Sequence, residues 1–562
     1  MPDGGWNMAD LWDVVAETLP GAPAFVQGER SVSWAETDAR ADGVARWLVG
    51  AGLGHQDKVA QYLHNCPEYL ESVFAAWKAA LVPVNTNYRY RDAELVYLWD
   101  NADVTAVVFH GTFSGTIDQL RHRVPGVRAW LWVDDGEGGC PPWATPYEDA
   151  AATRGGRPAL DRERSADDLY LLYTGGTTGS PKGVMWRSED LYLVGNRTAK
   201  VRFPPGADRA TVVSMLKEPG PRHLVACPLM HGLGSLTAFQ ALASGGSVTT
   251  LPGRSFDAVE LLDTCHHRRI NSVVIVGDVM AKPLLELLDA EPGRWDLSSL
   301  KVLSSSGAMW SAPVKEGLVR HVPGAILVDS LGSSEAVGIA SSITTSDGTA
   351  ATARFSLGED TRVLGADGRW VLPGSGEQGL IARRGPASIG YYKDEAKTAQ
   401  TYRVIDGERW SMPGDFVTVE ADGTITFLGR GSNCINTGGE KVYPEEVEEA
   451  LKEHATVRDA VVVGVPDDRL GQAVGAAVEL EPGSELDEQA LLAHLRGRLA
   501  SYKAPRSILA VSSIGRSATG KLDYVAWQRT LAERAGGPAV EGGAGPSARP
   551  GSVPPGAGTI GP

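Results

Sequence analysis

The sequence predicts an α/β protein with a large, multilayer αβ N-terminal domain and a small α+β C-terminal domain. Helical and strand patterns alternate from residue 31 to about 355, which is typical of helices packed against sheets. A glycine-rich break at 429–433 is followed by a compact pattern of roughly 100 residues, a normal domain size. The chain has 562 residues, which is long enough for more than one domain.

Hydrophobic periodicity sets the elements of the N-terminal domain, which we place at residues 1–430. Apolar residues at three-and-four spacing predict helices, and short β-branched or aromatic runs predict strands. The expected helices cover 41–49, 68–80, 189–194 and 257–267. The expected strands cover 58–63, 81–84, 106–109, 129–133, 168–172, 224–229, 247–251, 272–276, 301–305 and 325–330.

From about 355 to 430 the pattern changes to short strands separated by turns. Strands are expected at 362–364, 379–382, 416–419 and 424–427. The dipeptides Asp367-Gly368 and Asp422-Gly423 are typical of hairpin turns. We therefore expect a β-rich subdomain in this part of the N-terminal domain.

The C-terminal domain is placed at residues 431–535. Its first helix, over 444–454, begins with Pro-Glu-Glu, which suits the positive end of a helix. The remaining elements are strands at 460–465 and 507–511 and helices at 485–499 and 524–535. From 536 to 562 the chain is rich in Gly, Pro, Ser and Ala with little to bury, which predicts a disordered tail.

Composition excludes several classes of function. Lys and Arg number 53 against 69 Asp and Glu, a net charge of −16 that argues against nucleic acid as a partner. The five cysteines form no C-x-x-C pair, which favours a reducing cytoplasm over disulfides or a zinc site. No signal peptide and no apolar run of membrane-spanning length is recognised, so we expect a cytoplasmic protein without a membrane span.

The stretch 173–183 reads Tyr-Thr-Gly-Gly-Thr-Thr-Gly-Ser-Pro-Lys-Gly and follows an apolar strand pattern. Its glycines let an anion approach the backbone, and its hydroxyl groups and Lys182 can donate to phosphate oxygens. This pattern predicts a loop that binds the phosphates of a nucleotide, and the alternative is a flexible polar surface loop. It is not a Walker P-loop, because no Ser or Thr follows Lys182.

The same stretch resembles the [ST]-[SG]-G-T-[ST]-G-x-P-K-G signature of the adenylate-forming enzymes. These include acyl-CoA ligases, luciferases and peptide-synthetase adenylation domains. Four further stretches match the family pattern in the expected order, so the resemblance covers about residues 10–530. It implies the two-domain fold of that family with a mobile C-terminal domain, and it implies ATP, Mg²⁺ and coenzyme A as cofactors.

The resemblance also implies which residues contact the nucleotide and its Mg²⁺. Glu335 is implied to hold Mg²⁺ against the ATP phosphates, a role that suits a hard oxygen ligand. Leu331 departs from the family, which usually has an aromatic residue against the adenine. The implied nucleotide contacts are Thr174, Gly175, Gly176, Thr177, Thr178, Lys182, Ser306, Gly307, Ala308, Asp329, Ser330, Leu331, Ser334, Asp415 and Arg430.

The acyl pocket is implied near His231, with Gly232, Gly307 and Gly332 also lining it. His231 resembles the gate residue of the family, although a lone histidine is often structural. Gly232, Gly234 and Ser235 are small, and we expect them to leave room for rings if they line this pocket.

The C-terminal domain is implied to serve both half-reactions. Lys521 in the Ser517–Lys521 motif would neutralise charge on the α-phosphate and the carboxylate during adenylation. The pantetheine arm of CoA would enter beside Gly438, Gly439 and Lys441. Ser432 occupies the hinge position of the family. Because Lys521 and Gly439 are 82 positions apart, we expect the domain to rotate between the two steps.

The resemblance is closest to actinobacterial acyl-CoA ligases that activate steroid side-chain acids, which suggests a bulky hydrophobic acid such as a steroid or a terpenoid. It is carried by residues 173–179, 182–187, 332–335 and 429–432. One alternative is a degenerate ligase that only forms the thioester from a supplied acyl-adenylate, as Leu331, Ser432 and Gly515 depart from the family. Another is a non-catalytic binding protein of the same fold. The sequence leaves the oligomeric state open, with a homodimer among the options.

Overall fold

The computed structural model describes residues 5–90, 92–176, 179–199, 201–348, 351–437, 440–467, 470–496, 498–517, 520 and 522–534. The described residues form two compact units. The large unit falls within Met1–Asn433 and Gly515–Leu522, and the small unit falls within Cys434–Ile514 and Asp523–Pro562. The predicted domain limits at 430 and 535 stay predictions, and the tail predicted over 536–562 lies outside the described residues.

The first half of the large unit alternates helices and strands. In chain order it contains α1 Met8–Thr18, β1 Pro23–Gln27, β2 Arg30–Ser33, α2 Trp34–Gly50, β3 Lys58–Tyr62, α3 Pro67–Lys78, β4 Val82–Asn85, α4 Asp92–Asn101, β5 Val104–His110, α5 Ser114–Leu120, β6 Ala129–Val133, β7 Thr145–Pro146, α6 Tyr147–Ala151, β8 Leu169–Gly176, β9 Gly179–Arg187, α7 Ser188–Thr198 and α8 Arg209–Met215.

The second half of the large unit continues this alternation and then becomes rich in strands. It contains β10 Arg222–Val225, α9 Gly232–Ala243, β11 Ser247–Thr250, α10 Ala258–His267, β12 Ser272–Ile275, α11 Gly277–Ala290, β13 Val302–Ser305, α12 Ala312–His321, β14 Ile326–Leu331, β15 Ala340–Thr344, β16 Arg354–Leu357, β17 Thr361–Gly365, β18 Gln378–Arg383, β19 Gly390–Tyr391, α13 Glu395–Thr401, β20 Tyr402–Ile405, β21 Glu408–Ser411, β22 Asp415–Val419 and β23 Thr424–Arg430.

Two sheets organise the large unit. In the first, β1, β11, β10, β12, β13 and β14 pair in parallel, and antiparallel strands from β15 onward extend the sheet into the β-rich region. The second sheet has the order β19-β9-β8-β4-β3-β5-β6-β7, and its strands from β8 to β7 are parallel. The carboxyl ends of parallel strands meet at one edge of a sheet, which is where ligands bind in such folds.

Strand β8 faces two hydrophobic cores. Tyr170 and Leu172 enter the larger core, which both parallel sheets share with helices α1, α3 and α9. Leu171 and Tyr173 enter a second core with helices α4 and α5. This alternation follows from the two-residue period of a strand, so both faces of β8 are covered.

A buried ion cluster joins the first three helices. The Lys78 ammonium, which is fully buried, lies 2.9 Å from Asp13 and 2.6 Å from both Asp38 and Asp42. A buried charge is stable only when it is paired and hydrogen-bonded, so α3 is fixed against α1 and α2.

The small unit has its own sheet and core. Its elements are β24 Ile435–Thr437, β25 Glu440–Val442, α14 Pro444–Lys452, β26 Val457–Asp467, β27 Gly471–Leu480, α15 Glu488–Arg496, β28 Ser507–Val511 and α16 Tyr524–Arg534. Strand β27 pairs with β26 on one side and with β24 and β28 on the other. In the described part of the chain, no helix combines the length and apolar composition needed to cross a bilayer.

The predicted α/β fold class with a large and a small domain is confirmed. One predicted strand was wrong in its end, and several elements, among them α9, α11 and β27, were not predicted. The strand expected at 224–229 ends at Val225, and a side chain from the loop between β3 and α3 bonds the backbone groups that follow, as described below. Strand β27 was missed because Ala and Gly, which are weak strand formers, fill it, and its pairing on both sides supplies the stability.

We predict that Gly43→Ala destabilises the protein by about 1–3 kcal/mol, since a Cβ at Gly43 would lie 2.2 Å from the Ala151 carbonyl oxygen and force α2 and α6 apart. Urea or thermal unfolding measures this loss. The matched control is Gly50→Ala in the same helix, where a Cβ would meet nothing within 4 Å. Equal stability of Gly43→Ala and Gly50→Ala would contradict the packing of α2 on α6.

Candidate functional site

The glycine-rich stretch forms a β-hairpin rather than an extended loop. Strand β8 continues to Gly176 and β9 begins at Gly179, which pairs with Gly176. Thr174 pairs directly with Lys182, so its hydroxyl and the ammonium belong to facing positions of the hairpin. The turn residues Thr177 and Thr178 lie outside the described residues.

The base of the hairpin is closely packed. A Cβ at Gly183 would lie 2.7 Å from the Tyr173 ring, and the Tyr173 hydroxyl donates to Asn101 at 2.6 Å. The Lys182 ammonium forms an ion pair with Asp394. That hydrogen bond lowers the pKa of Asp394.

Glu335 lies in a turn after β14 and is bound to the hairpin. The Trp186 indole donates to the Ser334 carbonyl at 2.9 Å, and the Ser388 hydroxyl donates to the Glu335 carbonyl at 2.9 Å. The Tyr391 hydroxyl donates to Glu335 Oε1 at 2.6 Å. Burial, followed by the Glu335 charge, raises the pKa of Tyr391, so this hydroxyl keeps its proton.

The two segments expected at the adenine are neighbours. Ser305 pairs with Asp329 between β13 and β14, so Ser306, Gly307 and Ala308 leave the sheet beside Ser330 and Leu331. Gly307 has φ of +84° and is exposed, a conformation that favours glycine.

Two side chains of β14 point toward the protein interior. Asp329 is buried, with Oδ2 3.9 Å from the ammonium of buried Lys315. Leu331 is half-buried and packs against the cluster that contains Ala336 and Ile339. The geometry therefore leaves Ser330 and the 306–308 segment as the polar part of this region, and the nucleotide roles of Asp329 and Leu331 stay predictions.

Asp415 and Arg430 form a cross-strand pair between β22 and β23. Arg430 Nε donates to Asp415 Oδ1 at 3.0 Å. Asp415 Oδ2 is buried and, among the described residues, has no hydrogen-bond partner. A buried acceptor without a donor is costly, so Oδ2 is suited to accept a hydrogen bond from a ligand.

His231 is the N-cap residue of α9 and is half-buried, while Gly232 begins the helix. A Cβ at Gly232 would lie 3.0 Å from the Leu172 side chain and 3.9 Å from Ser334 Oγ. The start of α9, strand β8 and the turn before Glu335 therefore meet at this point.

Two asparagines hold the chain that leads to His231. Asn65 accepts from the Leu229 N–H at 2.8 Å and donates to the Cys227 carbonyl at 2.9 Å, which is why the strand expected at 224–229 stops early. Asn85 donates to the Met230 carbonyl at 2.6 Å and bonds both backbone groups of Tyr173.

The expectation that Gly234 and Ser235 leave room for a substrate was wrong. A Cβ at Gly234 would lie 2.4 Å from the Pro228 carbonyl oxygen, so glycine is required there by close backbone packing. Ser235 is fully buried and accepts from the Tyr170 hydroxyl at 3.3 Å. At Gly332 a Cβ would make ordinary contacts with backbone atoms of Ala336, Val337 and Gly338 at 3.5–3.8 Å, whereas at Gly232 it would meet side chains.

Several predicted residues lie outside the described part of the chain. They are Gly438, Gly439 and Lys521, together with the side chains of Ser432 and Lys441. Gly520, next to Lys521, belongs to the large unit, and a Cβ there would lie 2.5 Å from Ala308 Cβ. Gly520 therefore lies beside the 306–308 segment within that unit.

A family model described as AMP-binding enzyme matches residues 12–392. This chain belongs to the AMP-binding enzyme family. A second model, described as AMP-binding enzyme C-terminal domain, matches residues 446–521. The resemblance to adenylate-forming enzymes is thus confirmed.

Curated relatives match over almost the whole chain. A medium/long-chain-fatty-acid–CoA/3-oxocholest-4-en-26-oate–CoA ligase of Mycobacterium marinum is 40% identical over 528 residues, covering 92% of this chain and 95% of its own. A 3-oxocholest-4-en-26-oate–CoA ligase of Rhodococcus rhodochrous is also 40% identical, covering 92% and 94%. The medium-chain acyl-CoA ligase Mig of Mycobacterium avium is 37% identical, covering 92% and 96%.

Solved structures of similar fold include complexes with an acyl-adenylate and with ATP. The anthranilate CoA ligase AuaEII in complex with anthranoyl-AMP has a TM-score of 0.81 at 21% identity, covering 95% of this chain and 98% of its own. ATP-bound MatB from Rhodopseudomonas palustris has a TM-score of 0.77 at 25% identity, covering 94% and 100%.

Three polar residues of the candidate site were not identified from the sequence. Tyr391 and Asp394 bond Glu335 and Lys182 from a segment for which no motif was recognised. Asn85 follows the apolar strand pattern 81–84 directly. A polar residue immediately after a buried strand was the available signal, since such positions lie at the carboxyl edge of a parallel sheet.

We predict that Asn85→Ala lowers the free energy of unfolding by about 2–4 kcal/mol, because buried backbone groups of Tyr173 and Met230 lose their partner. Urea unfolding monitored by tryptophan fluorescence measures this loss. Asn87→Ala is the control, since the Asn87 side chain accepts from the Arg89 N–H on an exposed turn. A loss for Asn85→Ala no greater than for Asn87→Ala would show that the Asn85 hydrogen bonds to Tyr173 and Met230 do not stabilise the fold.

Proposed function

We propose that this protein is an AMP-forming acyl-CoA ligase that activates a bulky hydrophobic carboxylic acid through an acyl-adenylate. The observation that carries the proposal is the convergence at Gly232, where the acyl-pocket helix meets the phosphate hairpin and the turn of Glu335. Identity of 40% to CoA ligases over 92% of the chain supports the same reaction.

In the first half-reaction, the substrate carboxylate attacks the α-phosphate of ATP and pyrophosphate leaves. The protein contributes by placing the reactants and by stabilising charge. Thr174 and Lys182 occupy facing positions on the hairpin, which supports phosphate binding by both. We assign Lys521 to the charge that develops on the α-phosphate and the carboxylate, from its motif.

The ribose is assigned to Asp415. Its Oδ1 is occupied by Arg430, and its buried Oδ2 would accept from the vicinal hydroxyls. The 306–308 segment and the end of β14 would flank the adenine, because they leave the sheet side by side.

Glu335 fits a magnesium ligand. Mg²⁺ usually takes one or two carboxylates together with substrate phosphates and water. Tyr391 bonds Oε1, which leaves Oε2 for a cation, and the described residues contain no cluster of three or more His, Cys, Asp or Glu that could hold a metal alone. When bound, Mg²⁺ would neutralise phosphate charge.

In the second half-reaction, the CoA thiolate attacks the acyl carbon and AMP leaves. We assign the pantetheine arm to Gly438, Gly439 and Lys441, and the hinge to Ser432, from their motifs. The cytoplasm is the proposed location, because all five cysteines are free. A homodimer stays a prediction.

The substrate class we propose is a steroid, terpenoid or long-chain acid. The relatives from Mycobacterium marinum and Rhodococcus rhodochrous are described as acting on 3-oxocholest-4-en-26-oate, and the first also on fatty acids. Gly232 and Gly332, which the resemblance places at the acyl pocket, carry no side chains.

The degenerate ligase is the second candidate, because of one specific departure. Gly515, where the family usually has proline, has φ of +70°, a value that proline cannot adopt. The backbone before Lys521 therefore differs from the family pattern at this residue, and the adenylation step is the one it would affect.

We predict that the protein catalyses acid-dependent ATP–pyrophosphate exchange. In a panel of fatty, aromatic, steroid and diterpenoid acids, kcat/KM should be at least about tenfold higher for a polycyclic or long-chain acid than for benzoate, because each buried methylene adds binding. Thioester formation from a supplied acyl-adenylate without any exchange would favour the degenerate ligase.

We predict that Lys521→Ala slows pyrophosphate exchange by about 10²–10³-fold, the typical loss of one group that stabilises transition-state charge. Calorimetry should show ATP binding retained. Lys301→Ala is the control, since Lys301 is exposed and its ammonium donates to the nearby Ser298 carbonyl. Full exchange in Lys521→Ala would reject the role of this lysine, and the absence of both ATP binding and turnover in the wild type would favour a non-catalytic protein.

A further inference from the structure

One short segment, residues 388–394, contacts two charged side chains of the candidate site. Tyr391 bonds Glu335, and Asp394 pairs with Lys182. We propose that Tyr391 and Asp394 are positioning residues for adenylation: Tyr391 orients the carboxylate assigned to Mg²⁺, and Asp394 orients the ammonium assigned to the ATP phosphates. This inference rests on the proposed function and deepens it.

The backbone of this segment is fixed to the hairpin. The N–H groups of Ile389 and Tyr392 donate to the carbonyls of Met185 and Gly183 at 2.8 Å each. Arg409 donates to the carbonyls of Ser388 and Ile389 at 3.1 and 2.8 Å. A segment held at this many points carries its side chains on a rigid support, which a positioning role requires.

Tyr391 fixes one oxygen of Glu335. Its hydroxyl lies 2.6 Å from Oε1, and its ring is buried. The hydrogen bond to a charged acceptor is strong, so Glu335 is held in one rotamer with Oε2 directed elsewhere. Groups that orient a metal-binding carboxylate typically change metal affinity when they are removed.

Asp394 is itself oriented by the backbone. Its Oδ1 accepts from the Lys397 N–H at 2.9 Å at the start of α13, while Oδ2 pairs with Lys182. Lys182 and Asp394 are partly exposed, with side-chain exposures of 37% and 27%, so the pair is weak enough for a phosphate to share the ammonium. The carboxylate would therefore orient the ammonium and also repel the phosphates.

The neighbouring side chains provide matched controls. Tyr392 donates to Asp103 at 2.8 Å, and Lys393 pairs with the same carboxylate at 2.7 Å. The Tyr392–Asp103 hydrogen bond is of the same kind as Tyr391–Glu335. The Lys393–Asp103 ion pair is of the same kind as Lys182–Asp394. Tyr392→Phe and Asp103→Asn thus remove the same kinds of bond without touching Glu335 or Lys182.

The first test titrates ATP into the full-length protein by calorimetry over a series of MgCl₂ concentrations. Tyr391→Phe should raise the Mg²⁺ concentration for half-maximal ATP affinity by about tenfold, while AMP affinity without Mg²⁺ stays within about twofold. Tyr392→Phe should match the wild type. An unchanged Mg²⁺ dependence in Tyr391→Phe overturns the role of Tyr391.

The second test separates binding from turnover. Asp394→Asn removes a negative charge beside the phosphates, so the Kd for ATP should fall about two- to fivefold. The kcat of pyrophosphate exchange should fall by about tenfold, because the ammonium is less well oriented. Asp103→Asn should change neither. A parallel rise in Kd and loss of thermal stability in Asp394→Asn would indicate a structural role and overturn the assignment.

The outcomes separate this inference from the proposed function. If the wild type exchanges pyrophosphate and Tyr391→Phe shows no Mg²⁺ shift, only the positioning role fails. If the wild type exchanges no pyrophosphate with any acid, the proposed ligase activity fails, and the calorimetric Mg²⁺ series still decides whether Tyr391 acts through Glu335.

Discussion

The register of the β8–β9 hairpin is the constraint on which the site depends. Alternate residues of β8 enter two different cores, so a slip by one residue would move every buried side chain to the wrong core. Hydrophobic burial thus fixes which residues reach the tip of the hairpin. Thr174 and Lys182 face each other there because Leu171 and Leu172 are buried on opposite faces.

The other groups of the site are held relative to this hairpin. Trp186, on β9, bonds the turn that carries Glu335, and β19 pairs with the same strand. Asn85 connects Tyr173 of β8 to the chain before His231. A polar site assembled in this way has short connections to one rigid element, which keeps its charged groups in place.

Periodicity and local composition made much of this structure predictable. Strands with β-branched or aromatic residues, such as 129–133 and 507–511, were placed at their observed bounds. The glycine signature predicted a phosphate-binding loop; the structure has a β-hairpin there, and phosphate binding stays a prediction. Strand β27 was missed, since its stability comes from pairing on both sides rather than from its own residues.

The rest of the site depends on contacts between residues that are far apart in the chain. Asn65 stops the strand near Val225 by bonding Cys227 and Leu229, more than 160 positions away, and no local pattern reports such a bond. Tyr391 and Asp394 reach Glu335 and Lys182 for the same reason. Hydrogen bonds between distant segments produce no periodic pattern in the sequence, so they cannot be predicted from it.

The close approach of Gly234 to the Pro228 carbonyl has a consequence for how acid preference can diverge among descendants of this protein. Any larger residue at 234 would displace the chain that Asn65 and Asn85 secure, so natural selection has little freedom there. At Gly232 the neighbour is the flexible end of Leu172. Under the proposed assignment of Gly232 to the acyl pocket, drift toward smaller acids would begin with paired changes at 232 and 172.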